Sequence, residues 1–120
     1  MRLSGVFGPA RLWPDQDLVA LTSEFDAALT LDAYAAGAFP MPLHDAGLPE
    51  GVMGWWSPMH RGVLPLSDLR VTRSLRQDAK HYRVTFDRAF GEVLARCGDP
   101  RRPDGWIDHD IVGVYTELHE

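Results

Sequence analysis

The sequence of 120 residues predicts an α+β fold, a small mixed domain of short strands and amphipathic helices. Apolar runs at residues 17–22 and 82–86 have the length of strands, and the second run alternates as a strand should. Longer segments after Asp26 and Asp87 repeat apolar residues with helical spacing behind a capping residue. A hydrophobic content of 45% with 24% charged residues is typical of a soluble globular protein, and the length suits one domain.

The chain begins with a segment, residues 1–17, in which glycines and prolines interrupt any period, so we predict irregular structure there. The apolar run at residues 17–22 predicts a strand or a tight turn. Residues 39–42 read Phe-Pro-Met-Pro and must be extended, because a proline disfavours a helical conformation in the residue before it.

The first predicted helix lies between these two extended segments and covers residues 27–36. Asp26 is a good N-cap, and Gly37 can end the helix in the left-handed conformation. Helical spacing places Leu31 and Tyr34 on its apolar face.

Two adjacent tryptophans, Trp55 and Trp56, are followed by Ser57 and Pro58 in the middle of the chain. Alternation in an extended segment puts the two indoles on opposite faces. We predict a hairpin in which this strand turns back into a second short strand at residues 63–64. A buried hairpin is the simpler interpretation, since tryptophan mostly supplies packing area, and a tryptophan that faces a pocket is the alternative.

The second half of the chain is predicted to continue with strands and helices. We predict strands at residues 69–71 and 82–86. Between them, Thr72 or Ser74 can cap a short helix that ends near His81.

The last two predicted helices are capped by Asp87 and Asp108. In the first of them an apolar stripe ends at Cys97, which we therefore expect to be buried and unreactive. Residues 99–105 are predicted to form a hinge between the two helices. We expect the final helix to expose three apolar side chains unless a further element covers them: Ile111, Tyr115 and Leu118.

The net charge of -5 conceals a strong segmentation along the chain. Residues 61–103 hold ten of the twelve basic residues and five of the seventeen acidic ones. Arg73, Arg76 and Lys80 are spaced so that they share one face of the predicted helix. Such a face can hold a phosphate backbone, although solvated helix faces with local ion pairs explain the same composition.

Standard signatures of catalysis and metal binding are missing from the sequence, which has no Gly-x-Ser-x-Gly, phosphate-loop or His-Glu-x-x-His pattern. The five histidines lack metal-ligand spacing and Cys97 is the only cysteine, so we expect no metal, no cofactor and no internal disulfide. No apolar run has the length of a membrane span or a signal peptide, so we expect no membrane association and a cytoplasmic location. The remaining candidates are aromatic and basic residues, the groups that bind bases and phosphates.

Several short motifs occur in one order along residues 18–120. They are Tyr34-x-x-Gly37-x-Phe39-Pro40, Trp55-Trp56-Ser57-Pro58-x-x-Arg61, Arg73-Ser74, Tyr82-Arg83-Val84-Thr85, Ala89-Phe90, Gly105-Trp106-Ile107 and Tyr115-x-x-Leu118-His119-Glu120. In this order and at this spacing, the motifs resemble those of the leucyl/phenylalanyl-tRNA-protein transferases.

The resemblance implies an enzyme that moves leucine or phenylalanine from aminoacyl-tRNA (Leu-tRNA or Phe-tRNA) to acceptor proteins with an N-terminal Arg or Lys, marking them for degradation by the N-degron route. It also implies a small N-terminal domain followed by a larger acetyltransferase-like (GNAT-like) domain. We assign the N-terminal α/β domain to residues 18–98, and the hinge and first helix of an incomplete GNAT-like domain to residues 99–120. The complete protein is expected to be a monomer.

The resemblance also implies, residue by residue, a site for the 3'-terminal adenosine of aminoacyl-tRNA. Trp106 matches the tryptophan that stacks on this base, and Tyr115 and Tyr34 match tyrosines that line the site. Phe39 and Met41 are assigned to the same site, where Met41 replaces a second stacking tryptophan.

A second group of residues matches a basic cluster implicated in holding the tRNA. It consists of Arg73, Arg76 and Lys80, with His81 at a position that is usually basic. The Trp55 to Pro58 stretch is assigned as a structural motif.

No catalytic residue is expected within this chain, because the aspartate and glutamine to which the family assigns peptide-bond formation fall beyond residue 120. We therefore expect the chain alone to be inactive. The alternative hypothesis is a non-catalytic module that holds tRNA ends or a protein partner.

Overall fold

The computed structural model describes residues 6–44 and 47–120 and has a mixed α+β architecture, which confirms the predicted fold class. Its elements are β1 (Leu18–Thr22), α1 (Ala27–Ala36), β2 (Phe39–Pro42), β3 (Met53–Trp56), α2 (Arg73–Ala79), α3 (Phe90–Cys97) and α4 (His109–His119). Short 3-10 helical turns lie at Ala10–Leu12 and Leu66–Asp68. The first five residues of the segment predicted to be irregular lie outside the described residues.

The strands form one antiparallel sheet in the order β1-β3-β2, with the tryptophan strand β3 in the centre. Pro40 and Pro42 lie in β2 and have no N–H to donate, so β2 suits an edge of the sheet. The sheet therefore brings two earlier segments of the chain to either side of β3. This arrangement replaces the predicted hairpin, because residues 63–64 form no strand.

Trp55 is the centre of the core and is 0% exposed. Its indole Nε1 donates a hydrogen bond of 2.9 Å to the hydroxyl of Thr22 on β1, so the one polar atom of the ring is satisfied. The ring of Phe7 packs edge-on against it at 5.1 Å between centroids. Trp56 is half-buried on the opposite face of the strand, as the alternation predicted.

The bounds and caps of α1 confirm the prediction for this helix. The carboxylate of Asp26 accepts a hydrogen bond of 2.7 Å from the backbone N–H of Leu29. Gly37 ends the helix with φ 100, a left-handed conformation that favours glycine.

The buried face of α1 differs from the predicted one. Thr30 and Ala33 are fully buried, whereas Leu31 and Tyr34 are exposed. The Thr30 hydroxyl donates to the carbonyl of Asp26 at 2.7 Å, so this side chain can be buried without an unsatisfied polar atom. The small size of Thr30 and Ala33 suits the close approach of α1 to the sheet.

The final helix, α4, begins at the predicted cap, where Asp108 accepts a hydrogen bond of 2.9 Å from the N–H of Ile111. The expectation that Ile111 would be exposed was wrong, because α4 packs against α1 and Ile111 is 0% exposed in the same cluster as Trp55. Tyr115 and Leu118 are half-buried. Ile111 of α4 thus belongs to the same core as Trp55 of β3. The domain boundary proposed between residues 98 and 99 stays a prediction.

The predicted strands at residues 69–71 and 82–86 were also wrong, since neither forms in the structure. Every residue from 59 to 89 is exposed. Within this segment, α2 does form, and its predicted cap Thr72 accepts a hydrogen bond of 3.2 Å from the N–H of Leu75. Alternation shows which face of a strand could be buried, but a strand also needs a hydrogen-bonding neighbour.

Two predictions about α3 were wrong. Its N-cap is Ala89, with no side-chain cap, whereas the predicted cap Asp87 adopts a φ of 55 outside the helix. Cys97 was expected on a buried stripe and is exposed, because Leu94 is the buried residue of this helix.

Candidate functional site

Two tyrosines of the predicted site, Tyr34 on α1 and Tyr115 on α4, lie together in the structure. Their hydroxyl groups share a hydrogen bond, and their rings meet edge-on with 6.5 Å between centroids. Burial, together with the hydrogen bond to Tyr34, raises the pKa of the Tyr115 hydroxyl. Tyr115 is therefore neutral near pH 7, and tyrosine hydroxyl groups of this kind can donate and accept hydrogen bonds.

Trp106 lies just before α4, two residues ahead of the cap Asp108. Its half-buried side chain packs against the core cluster, as does that of Tyr115. The neighbouring Ile107 lies against Gly98, where an added Cβ would come within 3.2 Å of the Ile107 side chain. The packing of the Trp106 side chain on the core and of Ile107 on Gly98 therefore holds the backbone that carries Trp106.

Phe39 and Met41 are alternate residues of β2 and project from one face of that strand. The indole of Trp56 crosses the sheet and donates from Nε1 to the carbonyl of Met41 at 3.1 Å. Gly54 leaves room for this indole, since a Cβ there would lie 2.7 Å from Trp56 Nε1. Helix α1 carries Tyr34 and contacts both β2 and α4. It therefore lies between the strand that carries Phe39 and Met41 and the helix that carries Tyr115.

Arg61 connects the stretch from Trp55 to Pro58 to the end of α1, the helix that carries Tyr34, and the sequence alone did not reveal this role. Its guanidinium donates to the carbonyl of Gly37 at 3.2 Å and to the hydroxyl of Ser57 at 3.0 Å. The N–H of Ser57 in turn donates to the carbonyl of Asp17 at 2.8 Å. The stretch from Trp55 to Pro58 is thus tied to the N-terminal segment and to α1.

The predicted basic cluster lies on α2, away from these contacts. Arg73, Arg76 and Lys80 are exposed and form no ion pair within residues 6–44 and 47–120, and His81 follows them in an exposed turn. No side-chain hydrogen bond, ion pair or ring contact joins these four residues to the aromatic group in the described part of the chain. Tyr34 and Tyr115 are therefore in contact, whereas the predicted basic residues make no such contact with either tyrosine.

Other cations of the basic middle segment are already paired. Arg96 lies 2.9 Å from Glu92, and Arg101 lies 2.7 Å from Asp99. The hydrogen bonds from Arg101 lower the pKa of the Asp99 carboxyl, while the same contact raises that of Arg101. The unpaired state of the α2 cations distinguishes them from these neighbours.

Clefts, metal sites and membrane-spanning helices are the other features by which the described residues could show a function. A cleft of about 350 Å³ is lined by Trp13, Ser57 and Pro58 among others, which places it beside the stretch from Trp55 to Pro58. Among the residues that the structure describes, no group of three or more His, Cys, Asp and Glu could hold a metal ion. No described helix has both the length and the apolar character needed to cross a membrane.

Two family models match this chain over adjacent stretches. The N-terminal domain model of leucyl/phenylalanyl-tRNA protein transferase matches residues 23–59, and the model of leucyl/phenylalanyl-tRNA protein transferase matches residues 63–120. The chain belongs to this transferase family. The matches include both tyrosines of the pair and Trp106.

Bacterial relatives named leucyl/phenylalanyl-tRNA–protein transferase match most of this chain. The protein of Aromatoleum aromaticum is 41% identical over 107 residues, which cover 86% of this chain and 43% of that protein. The protein of Rhizorhabdus wittichii is 43% identical over 98 residues, which cover 78% of this chain and 38% of that protein. The chain therefore spans less than half the length of these curated relatives.

Proposed function

We propose that this chain is the aminoacyl-tRNA-binding part of a leucyl/phenylalanyl-tRNA–protein transferase. The whole enzyme would move leucine or phenylalanine from Leu-tRNA or Phe-tRNA to proteins with an N-terminal Arg or Lys, in the cytoplasm and as part of the N-degron route. The observation that supports this proposal most strongly is the match of both family models, which together leave few residues between 23 and 120 unmatched.

The reaction requires the acceptor's α-amine to attack the aminoacyl ester, with removal of a proton and stabilisation of the tetrahedral oxyanion. Tyr115 is unsuited to act as the base, because its raised pKa keeps the hydroxyl protonated near neutral pH. The tyrosine pair is better suited to hydrogen-bonding a nucleoside hydroxyl or ring atom. We therefore assign binding to this chain and proton transfer to residues outside it.

The proposed tRNA contacts are of two kinds. Trp106 would stack on the 3'-terminal adenosine beside Tyr115 and Tyr34, with Phe39 and Met41 on the β2 side of α1. The unpaired cations of α2, followed by His81, would contact phosphates, which attract exposed guanidinium and ammonium groups without a defined pocket. Charge and stacking then act at separate places on the molecule.

Two measurements test the proposal on the 120-residue chain. Fluorescence anisotropy should show binding of charged Leu-tRNA or Phe-tRNA, and a transfer assay with an Arg-terminated peptide should show no product. Uncharged tRNA is the control for the contribution of the amino acid. Absence of tRNA binding would contradict the binding role, and peptide-bond formation by this chain alone would contradict the assignment of catalysis elsewhere.

A non-catalytic module for tRNA ends or a protein partner is the second candidate, and the exposed, unpaired cations of α2 suit it, because holding phosphates needs no catalytic group. A chimera separates the two. Residues 1–120 would be joined to the unmatched remainder of the Aromatoleum aromaticum relative. Transfer activity in the chimera supports the enzyme, whereas a folded but inactive chimera that still binds tRNA supports the module.

A further inference from the structure

The guanidinium of Arg61 lies at the C-terminal end of α1, although Arg61 belongs to the exposed segment that follows β3. Its Nη2 donates to the carbonyl of Gly37, the residue that ends the helix. The last turn of α1 has no basic residue of its own. A cation at this end of a helix interacts favourably with the helix dipole and with carbonyls that lack a helical partner. Arg61 therefore stabilises the end of α1 from a distant part of the chain.

The segment that carries Arg61 is itself anchored to Asp17, the residue before β1. The backbone N–H of Ser57 donates to the carbonyl of Asp17, and the N–H of Met59 donates to the Asp17 carboxylate, each at 2.8 Å. The hydroxyl of Ser57 accepts a second hydrogen bond from Nη2 of Arg61. Because Ser57 is anchored in this way, its hydroxyl helps to fix where the guanidinium meets α1.

Tyr34 lies in the turn of α1 that Arg61 contacts. Its backbone carbonyl accepts a hydrogen bond of 3.1 Å from the N–H of Gly37, and the carbonyl of Gly37 accepts from Arg61. One residue therefore links the guanidinium to the backbone of Tyr34. The Tyr34 side chain is 49% exposed and meets the ring and hydroxyl of Tyr115. With about half of its surface free of packing, this tyrosine depends on the backbone of the turn for its placement.

We propose that Arg61 is a positioning residue for aminoacyl-tRNA binding, because it holds the last turn of α1 so that the hydroxyl of Tyr34 meets that of Tyr115. The inference rests on the proposed function, in which the two tyrosines contact the 3'-terminal adenosine. A binding group is effective when the residues behind it hold it within about 0.5 Å of its productive position. Arg61 acts in this way through Tyr34 and without touching the tRNA.

Titration of the tyrosines tests this link without tRNA. In a Tyr82→Phe background Tyr34 and Tyr115 are the remaining tyrosines, and ultraviolet absorbance follows their ionisation. Burial and the hydrogen bond with Tyr34 raise the pKa of Tyr115, so Arg61→Ala should lower this pKa toward the ordinary value of about 10. Arg61→Lys keeps a donor for a carbonyl and should restore most of the change. Arg83→Ala removes another exposed arginine and should leave the titration as it is.

Fluorescence anisotropy with charged Leu-tRNA tests the consequence for binding. Arg61→Ala should weaken binding, and this loss should be smaller by about twofold or more in a Tyr34→Phe background, since coupled residues share their effects. The salt slope should equal that of wild type, because a positioning residue neutralises no phosphate. Arg73→Ala is the matched contrast, which should lower the slope and have the same effect in both backgrounds.

Circular dichroism checks that the variants fold. Ser57→Ala removes one of the two hydrogen bonds from Arg61 and provides a milder variant if Arg61→Ala does not fold. An unchanged titration, an unchanged affinity, an equal loss with and without the Tyr34 hydroxyl, or a lowered salt slope, which would indicate a direct phosphate contact, would each overturn the role of Arg61. Failure of the wild-type chain to bind charged tRNA would instead overturn the proposed function, and the titration would still decide whether Arg61 positions Tyr34.

Discussion

At the scale of single residues, the hydrogen bond between Tyr34 and Tyr115 has a consequence for stability. The raised pKa of Tyr115 means that the folded state favours the neutral hydroxyl over the phenolate. The resulting stability is present below the unfolded-state tyrosine pKa of about 10 and is lost as pH rises through the folded-state value. Ionisation of Tyr115 at alkaline pH should therefore lower the free energy of unfolding.

We predict that the urea midpoint of the wild-type chain falls between about pH 9 and about pH 11, and that Tyr115→Phe removes part of this fall. Circular dichroism at each pH gives the midpoint. Tyr82→Phe, which removes an exposed tyrosine, should leave the fall in place. If Tyr115→Phe has the same pH profile as wild type, the pair does not couple folding to ionisation.

A second prediction at this scale concerns stacking by Trp106. Trp106→Ala should weaken binding of charged tRNA by roughly 1 to 3 kcal/mol and leave the salt dependence unchanged, because stacking neutralises no phosphate. Trp106→Phe keeps an aromatic face and should recover most of the affinity. Since Trp106 also packs against the core cluster, circular dichroism must show that each variant folds. A change in salt slope for Trp106→Ala would contradict the stacking role.

At the scale of elements, α2 differs from the other helices because none of its residues is buried. It is held by its Thr72 cap and its own backbone hydrogen bonds, and a helix of 7 residues is marginal on such terms. Arg73 and Arg76 on this helix and Lys80 at its end are exposed and have no ion pair in the described part of the chain, so they are free to meet a polyanion. The function proposed for α2 is therefore electrostatic, and salt is the variable that tests it.

We predict that replacing Arg73, Arg76 and Lys80 together with Ala lowers the magnitude of the salt slope for tRNA binding by up to about 2 to 3. The measurement is the logarithm of affinity against the logarithm of salt concentration. A double variant, Arg96→Ala with Arg101→Ala, removes cations that are already paired with carboxylates and should change the slope less per charge. Equal slopes for the triple variant and wild type would show that the α2 face is only a solvated surface.

At the scale of the whole molecule, the chain is expanded for its length. Its radius of gyration is 17.6 Å, whereas a compact domain of this length has about 14 Å. The difference fits the exposed residues 59–89, which follow β3; the chain contacts the core around Trp55 again from Trp106 into α4. The two parts should therefore differ in local stability.

Hydrogen exchange should show this difference directly. We predict slow exchange for the amides of β3, which is paired on both sides, and fast exchange for residues 83–86 in dilute protein. Strong protection of this segment at the lowest concentration would contradict the exposure that the structure shows.

The features that the sequence by itself determined depend on residues within a few positions of one another. Asp26, Thr72 and Asp108 cap the helices that follow them because a side-chain oxygen reaches an N–H three residues ahead. The prolines of β2 and the left-handed Gly37 act through their own backbone angles. The family motifs could also be recognised from the sequence, since their order and spacing need no knowledge of contacts.

Only the tertiary structure decided which surfaces meet. Strand pairing around β3, the burial of Thr30 in place of Leu31, and the burial of Ile111 depend on segments that are distant in sequence. The hydrogen bond between Tyr34 and Tyr115 joins residues 81 positions apart. At residues 82–86 the local pattern favours a strand, yet none forms, because a strand is completed by a neighbour and the described chain supplies none there.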